Sequence, residues 1–421
     1  MMNDPVKKIH CGKSALAILL MLMVSACETP KPPAPAPSAT PKPAAPAAAT
    51  PPIAKSDSKE DAAPAPASVL TPVAWLELQG WQQDNHAEAL PALLASCRTL
   101  ARHAPWHEAC AAAGAVKGRD AARHFFEAHF TPYRVSSAEG VAEGLITGYY
   151  EPTLRGSRKP SARNRFPLYG VPDDLLVLDF GDLAPELKST APRARLDGRR
   201  VVPYYNRSQI ESGLAPVRGK EIVWVDDAVE LFFLQIQGSG RIVLDEGGTL
   251  RVGFADHNGQ PYRSIGRVLI DRGELPLERT SMQGIKAWTR DNPAKLAELL
   301  NQNPRFVFFR ELPANGTSPP GALGVPLTPQ RSIAVDPRYV PLGAPVHIAT
   351  NWPNTDKPLQ RLMLAQDTGG AIRGAVRADF FWGSGEEAAR EAGRMKQSLR
   401  MWVLLPKNYP FQTPAQKPSR Q

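Results

Sequence analysis

The spacing of apolar and polar positions divides the chain into unlike regions. Over residues 75–130, "ALPALLASCRTLARHA" and "DAARHFFEAHF" set apolar residues three and four apart without β-branched runs, which predicts helices. After Pro132 the period shortens. From Gly144 onward, "GLITGYYEP", "EIVWV", "LFFLQIQ", "RIVLD" and "LRVGFAD" are short, β-rich and punctuated by Gly, Asp and Asn, which predicts strands. A helical stretch over about residues 281–300 precedes "PRFVFFRE". Strands follow in "SIAVD", "APVHIAT", "LMLAQD" and "GAVRADFFW", and a helix over residues 386–396 leads into "RMWVLLP". Short strands with frequent turns predict a mainly β fold of barrel or sandwich type with added helices.

Upstream of residue 72 this patterning is absent. Lys7, Lys8 and Lys13 precede "ALAILLMLMV", an apolar run of ten. That is too short for a spanning helix, which needs roughly 20 apolar residues, and fits a signal-peptide core. Val24-Ser25-Ala26-Cys27 resembles a bacterial lipobox, so residues 1–26 are expected to be removed and Cys27 lipidated. The alternative is an ordinary cleavage site beside an incidental cysteine. Glu28 rather than aspartate follows, which in such lipoproteins implies the outer membrane. Residues 30–68 are almost entirely Pro, Ala, Ser, Thr and Lys, with one isolated Ile53, so residues 27–71 read as a solvated tether. Forty such residues in polyproline geometry reach about 120 Å.

The formal charge of +9 is modest for 421 residues, and Lys and Arg are scattered without interleaved aromatics. That pattern excludes nucleic acid as the expected partner and suits an anionic wall polymer. Of four cysteines, Cys11 and Cys27 belong to the leader and anchor. Cys97 and Cys110 remain, and an oxidising compartment favours a disulfide between them over two reduced core thiols. No metal site is expected, since Pro105 breaks the His103–His107 spacing and no glutamate follows.

Several polar groups interrupt the strand-like runs. Gln235 and Gln237, read as alternating on one strand face with Ser239 and Arg241 nearby, are candidate sugar contacts. The intervening Gly238 reads as a hairpin turn, because no helix follows to make a phosphate loop. Thr147, Tyr149 and Tyr150 are further candidates, the tyrosine pair serving either to pack or to stack on ligand. Asp336, Asp367 and Asp379 each stand where an apolar β run stops, so all three could face one end of a barrel. Asp379 is followed at once by Phe380, Phe381 and Trp382. Apolar neighbours and a second carboxylate both raise a carboxyl pKa, which makes a proton donor near neutral pH. The competing reading is that each aspartate caps a turn.

Together "GLITGYYEP", "FFLQIQGSGR", "NGQPYRSIGR", "SIAVDPRYVPLG" and "AQDTGGAIRGAVRADFFWGSG" resemble the membrane-bound lytic murein transglycosylase A family over nearly all of residues 75–406. The resemblance implies a double-psi β-barrel of residues 72–151 and 301–410, with the three-aspartate part at about 305–406. It implies a second β domain, residues 152–300, inserted between them across a substrate groove, and a tail of residues 411–421. It assigns Asp379 as catalytic acid/base, with Asp367 and Asp336 as companions. The implied reaction cleaves the MurNAc-GlcNAc β-1,4 bond of peptidoglycan and leaves a 1,6-anhydromuramic end without metal or organic cofactor. Glycan strands, the outer membrane and cell-wall synthesis proteins are the expected partners, and cell-wall turnover the setting. The other function class is a non-catalytic peptidoglycan-binding lipoprotein on the same fold.

Overall fold

The computed structural model describes residues 70–180 and 191–410. It opens on β1 (Leu70–Pro72), helices α1 (Leu90–Leu100), α2 (His107–Ala113) and α3 (Arg119–His129), then β2 (Phe130–Val135) and β3 (Gly144–Glu151). The three- and four-residue spacing is what lets the helices bury Leu93, Leu100, Ala109, Ala122 and Phe126 on shared faces. A disulfide joins Cys97 of α1 to Cys110 of α2, with the Cα atoms 5.4 Å apart.

The middle of the chain carries β4 (Thr153–Ser157), β5 (Phe166–Tyr169), β6 (Leu176–Val177), β7 (Arg193–Asp197) and β8 (Arg200–Pro203). Then come α4 (Arg207–Glu211), β9 (Glu221–Val225), α5 (Ala228–Gln237), β10 (Ser239–Leu244) and β11 (Thr249–His257). Helices α6 (Ile265–Asp271), α7 (Met282–Asp291) and α8 (Leu296–Leu300) precede β12 (Val307–Leu312). Six of these strands form one sheet in the order β12-β11-β10-β4-β9-β5, and β6, β7 and β8 form a small separate one.

"LFFLQIQ" is a correction to the strand expectation, for it lies in α5. Asp227 caps that helix by accepting from the N–H groups of Val229 and Glu230, and Gly238 ends it in the left-handed conformation. The segment is apolar nearly all round because it is wedged between two cores, Leu231 and Leu234 facing one and Phe232 the other. Burial on two sides, with apolar Ile236 left exposed on a third, blurred the periodicity. Gly238 is therefore a helix C-cap and not a hairpin turn. Helix α6, capped by Ser264, also stands where no helix was expected.

The remainder comprises β13 (Ser332–Val335), β14 (Pro345–Asn351), β15 (Pro358–Asp367), β16 (Arg377–Ser384), α9 (Glu386–Arg394) and β17 (Lys396–Pro406). With β1 to β3 they build an eight-stranded sheet in the order β1-β2-β17-β14-β15-β13-β16-β3, and β17 pairs again with β3. The strands β17-β14-β15-β13-β16-β3 thus close into a ring of six with no free edge. Its interior holds Ile146, Ile348, Met363, Phe380, Met401 and Val403, all fully buried.

The N-terminal helices are clamped to this ring by buried polar groups. Arg331 forks onto Asp84 with contacts of 3.0 and 2.9 Å, and Asp84 also accepts from the Leu362 N–H at 2.7 Å. Gln366 donates to the Ala92 carbonyl and the Ser96 hydroxyl of α1. A buried fork of this kind matters chiefly because losing one partner strands the other charge.

Candidate active site

Strand register sets the site. Ala334 of β13 pairs with Asp367 of β15 on one side and with Asp379 of β16 on the other. Asp379 in turn pairs with Thr147 of β3. Four residues therefore stand in one row across four strands, and residues in register share a face. Two strand spacings separate the aspartate backbones, about 10 Å, with the small side chain of Ala334 between them.

Residues two along the same strands share that face. Tyr149 pairs with Phe381 beside the row, their rings 5.2 Å apart. With Leu327, Ala334 and Ile372 they form a small apolar seat under the carboxylates. Of the three aromatics after Asp379, only Phe381 belongs to this seat. Phe380 and Trp382 point the other way into the ring core, as period-two alternation requires. Asp379 itself lies within β16 and not at its end.

The two carboxylates are held differently. Asp367 Oδ1 accepts from the backbone N–H of Thr368 and of Ala322, both at 2.9 Å, and Oδ2 accepts from the Tyr149 hydroxyl at 3.0 Å. Burial pushes its pKa up to about 6 against those three donors. Asp379 receives one bond, from the Thr147 hydroxyl to Oδ1 at 2.5 Å. Burial pushes it up to about 6 as well; the Thr147 bond and the Arg377 charge pull it down, and the Asp367 charge pushes it up. A carboxylate taking three donors is set to stay ionised, and one with a single donor is set to hold a proton.

Arg377 fixes the direction of the single donor. Its Nη2 donates to the Thr147 oxygen at 2.8 Å. A guanidinium cannot accept, so the Thr147 hydroxyl hydrogen is left to point at Asp379 Oδ1. The proton of Asp379 is thereby directed to Oδ2. Neither Arg377 nor the backbone N–H of Ala322 was recognised from the sequence, although Arg377 sits two residues before Asp379 on the same strand.

The structure separates the other sequence candidates. Asp336 lies just past β13, fully buried, and accepts from the Gly374 N–H at 2.9 Å and from Arg338. Burial raises its pKa, but Arg338 and the backbone donors outweigh that and hold it below the ordinary value. It ties down the loop between Asp367 and Asp379 and is not in their row. Tyr150 is buried in the ring core, its hydroxyl against Met282. Gln235 and Gln237 do not alternate on a strand face, since they are helical. Gln235 is buried and accepts from Arg207, and Gln237 accepts from the Tyr150 N–H. Ser239 opens β10, and Arg241 spends its donors on buried Glu151 and the Thr317 carbonyl. Cys27 lies outside the described residues. Among the described residues no cluster of His, Cys and carboxylates could hold a metal ion.

Comparison with known proteins places this geometry. Residues 145–310 match the family model described as the MltA specific insert domain, and residues 331–405 match the 3D domain. The chain is 31% identical over 285 residues to the membrane-bound lytic murein transglycosylase A of Vibrio cholerae, covering 66% of this chain and 70% of that one. It is 33% identical over 280 residues to the Escherichia coli K12 protein of the same name, covering 65% and 68%. Among solved structures, MltA from Neisseria gonorrhoeae superposes with a TM-score of 0.70 at 41% identity, over 81% of this chain and 93% of that one. The membrane-bound lytic murein transglycosylase of Agrobacterium tumefaciens gives 0.72 at 33%, over 80% and 98%. Escherichia coli MltA with bound chitohexaose gives 0.58 at 27%, over 76% and 88%.

Proposed function

The chain belongs to the membrane-bound lytic murein transglycosylase A family and is a lytic transglycosylase of peptidoglycan; from that premise we propose that Asp379 is its catalytic acid and base. The observation that carries the assignment is the unequal hydrogen bonding of the two carboxylates. Asp367 is saturated by three donors, whereas Asp379 keeps Oδ2 free of any donor among the described residues.

Protonated at Oδ2, Asp379 gives its proton to the glycosidic oxygen as the C1–O bond of the muramic sugar breaks. Positive charge grows on that ring, and the Asp367 anion, on the far side of Ala334 in the row, stabilises it. The sugar's own C6 hydroxyl then attacks C1, and Asp379, now a carboxylate, takes the hydroxyl proton. The new C1–O6 bond replaces the broken one, the acid is regenerated, and no water is consumed. Ordinary glycosidases need a second carboxylate to activate water or to attack. Here the nucleophile is in the substrate, which suits a site with one proton-carrying group.

Thr147 and Tyr149 act on the carboxylates in this reading, and Asp336 acts on the connecting loop. Because β12 pairs in the six-stranded sheet, the inserted part runs over residues 152–312, past the border at 300 expected from the sequence, and residues 72–151 and 313–410 form the catalytic part. Cys27, lipidated, anchors the protein to the periplasmic face of the outer membrane, with residues 27–71 as the tether. "VSAC" followed by Glu28 supports this anchoring, and fractionation of a Cys27→Ala strain tests it.

Asp379→Asn keeps the shape and removes the transferable proton. Release of anhydromuropeptides should fall by about 10²–10⁴-fold, with the melting temperature kept. A folded Asp379→Asn protein cleaving at near wild-type rate would end the assignment. Asp367→Asn inert with Asp379→Asn merely slowed would exchange the two roles.

A further inference from the structure

The loop between Asp367 and Asp379 runs beside an excess of positive charge that the chemistry above does not use. Arg305, just before β12, is half-buried. Its Nη1 donates to the Gln260 carbonyl at 3.2 Å, and its Nη2 lies 3.5 Å from where a side chain on Gly370 would begin. Gly370 is three residues beyond Asp367. Exposed Arg373, on the same loop, is close enough for its charge to act on Arg305. Arg193, at the start of β7, donates from Nε to Asp256 at 2.8 Å. Its side chain packs so close to Gly259 that a Cβ there would stand 2.8 Å from Arg193 Cβ, and Gly259 has a φ of +76°. Only glycine suits that turn.

His257 belongs to the same group but adds no charge. Its Nδ1 accepts from the Gly259 N–H at 2.8 Å, and burial with the Arg305 and Arg193 charges holds its pKa down to about 4. Among the described residues, Asp256 is the one carboxylate whose charge acts on both Arg305 and His257. Arg193 and Arg305 thus share one acid, and Arg373 adds a third guanidinium beside Arg305. A partly desolvated cation without a full partner is costly, and guanidinium is the side chain best shaped to take a carboxylate through paired N–H donors.

We propose that Arg305, Arg373 and Arg193 form a carboxylate-binding subsite beside the cleavage row, which receives the acidic substituent carried by the muramic sugar. The proposal rests on the transglycosylase reading and deepens it. A free carboxylate on that sugar has two sources. It is the lactyl group itself when no peptide is attached, or an acidic residue of the stem peptide when one is. Either would hold the muramic sugar at the row through contacts made equally in the bound and transition states, so that their loss is read in KM.

The test compares wild type with an Arg305→Gln/Arg373→Gln double variant on three substrates. These are intact peptidoglycan, peptidoglycan stripped of peptides by an amidase, and the stripped glycan with its lactyl carboxylates converted to amides. The expected result is KM raised about 10-fold with kcat kept, on whichever of the first two supplies the carboxylate. On the amidated glycan the variant should show no further loss, because wild type has already lost the contact. Arg373→Gln alone, at an exposed position, should shift KM in the same direction by a smaller factor and leave the melting temperature unchanged, which keeps the test valid if the double variant misfolds. Equal KM for wild type and both variants on the first two substrates would overturn the subsite, as would an equal loss on the amidated glycan. Failure of the underlying activity looks different: wild type would then release no anhydro ends from any of the three.

Discussion

Tyr149→Phe probes the division of labour between the two carboxylates. The substitution removes the hydroxyl that donates to Asp367 Oδ2 at 3.0 Å and keeps the ring packed on Phe381. Burial and the neighbouring Asp367 and Asp379 charges hold the Tyr149 pKa well above its ordinary value, so the hydroxyl is a donor at every working pH. A hydrogen bond to a charged group contributes about 1.5–3 kcal/mol, and about 1.4 kcal/mol corresponds to one pKa unit. Without it, Asp367 should move from about 6 to about 7–8. The productive form has Asp367 ionised and Asp379 protonated. Activity is lost on the acid side as pH falls through the Asp367 value and on the alkaline side as pH rises through the Asp379 value.

Raising Asp367 therefore moves the acid limb into the alkaline one. At pH 6 the productive fraction, roughly a quarter in wild type if each group is half-protonated, should drop by about 5- to 50-fold. The assay is the rate of anhydromuropeptide release from pH 4.5 to 8.5, with thermal melting as the control for folding. A Tyr149→Phe protein whose profile overlays that of wild type would refute the argument that Asp367 works as an anion.

Thr147→Val frees Asp379 Oδ1 and should raise its pKa, moving the alkaline limb up by as much as about one unit, while misorientation of the acid lowers the plateau rate; a pH–rate profile reads both. Cys97→Ala/Cys110→Ala should cost roughly 3 kcal/mol by the loop-closure model, seen as a lower denaturation midpoint with the same catalytic pH optimum. Asp84→Asn strands part of the Arg331 fork and should destabilise by about 3–5 kcal/mol without changing the pH profile of what remains folded. His86 and His347 are fully buried among Trp81 and its neighbours and held neutral, at about 4, chiefly by burial. Their folded pKa values lie below the ordinary 6.5, so the stability they confer is present above pH 6.5 and lost as pH falls toward 4. Melting temperature measured across that window should drop, and His347→Gln should flatten the drop.

The sequence made the ends of this argument legible and hid the middle. Strands β13 to β16 were readable because each contains an apolar run closed by a charged or turn residue, and Asp367 and Asp379 drew attention as carboxylates beside such runs. What the linear pattern could not supply was register. Nothing local says that Ala334 sits between the two aspartates, or that Thr147 comes alongside Asp379. Tyr149 read either as packing or as a surface for ligand because a paired tyrosine has no local sign of its partner, which lies 218 residues away. Helix α5 was misread for a different reason. Its Asp227 cap, Glu230 and terminal Gly238 were all present as helix signals, but an apolar run buried on both sides outweighed them.

The closed ring has a consequence for the life of the chain before it works. Thr147 enters with β3, and its partner Asp379 follows 232 residues later on β16. The ring closes only when β17 pairs with both β14 and β3. A chain that has emerged only as far as β3 therefore carries one of the four residues of the cutting row and nothing that can use it. Ordering the site waits on the most distant contacts in the fold, the slowest kind to form. For a protein that severs the wall of the cell that makes it, the topology is a safety interlock: an unfinished or clipped copy is harmless because it has no blade.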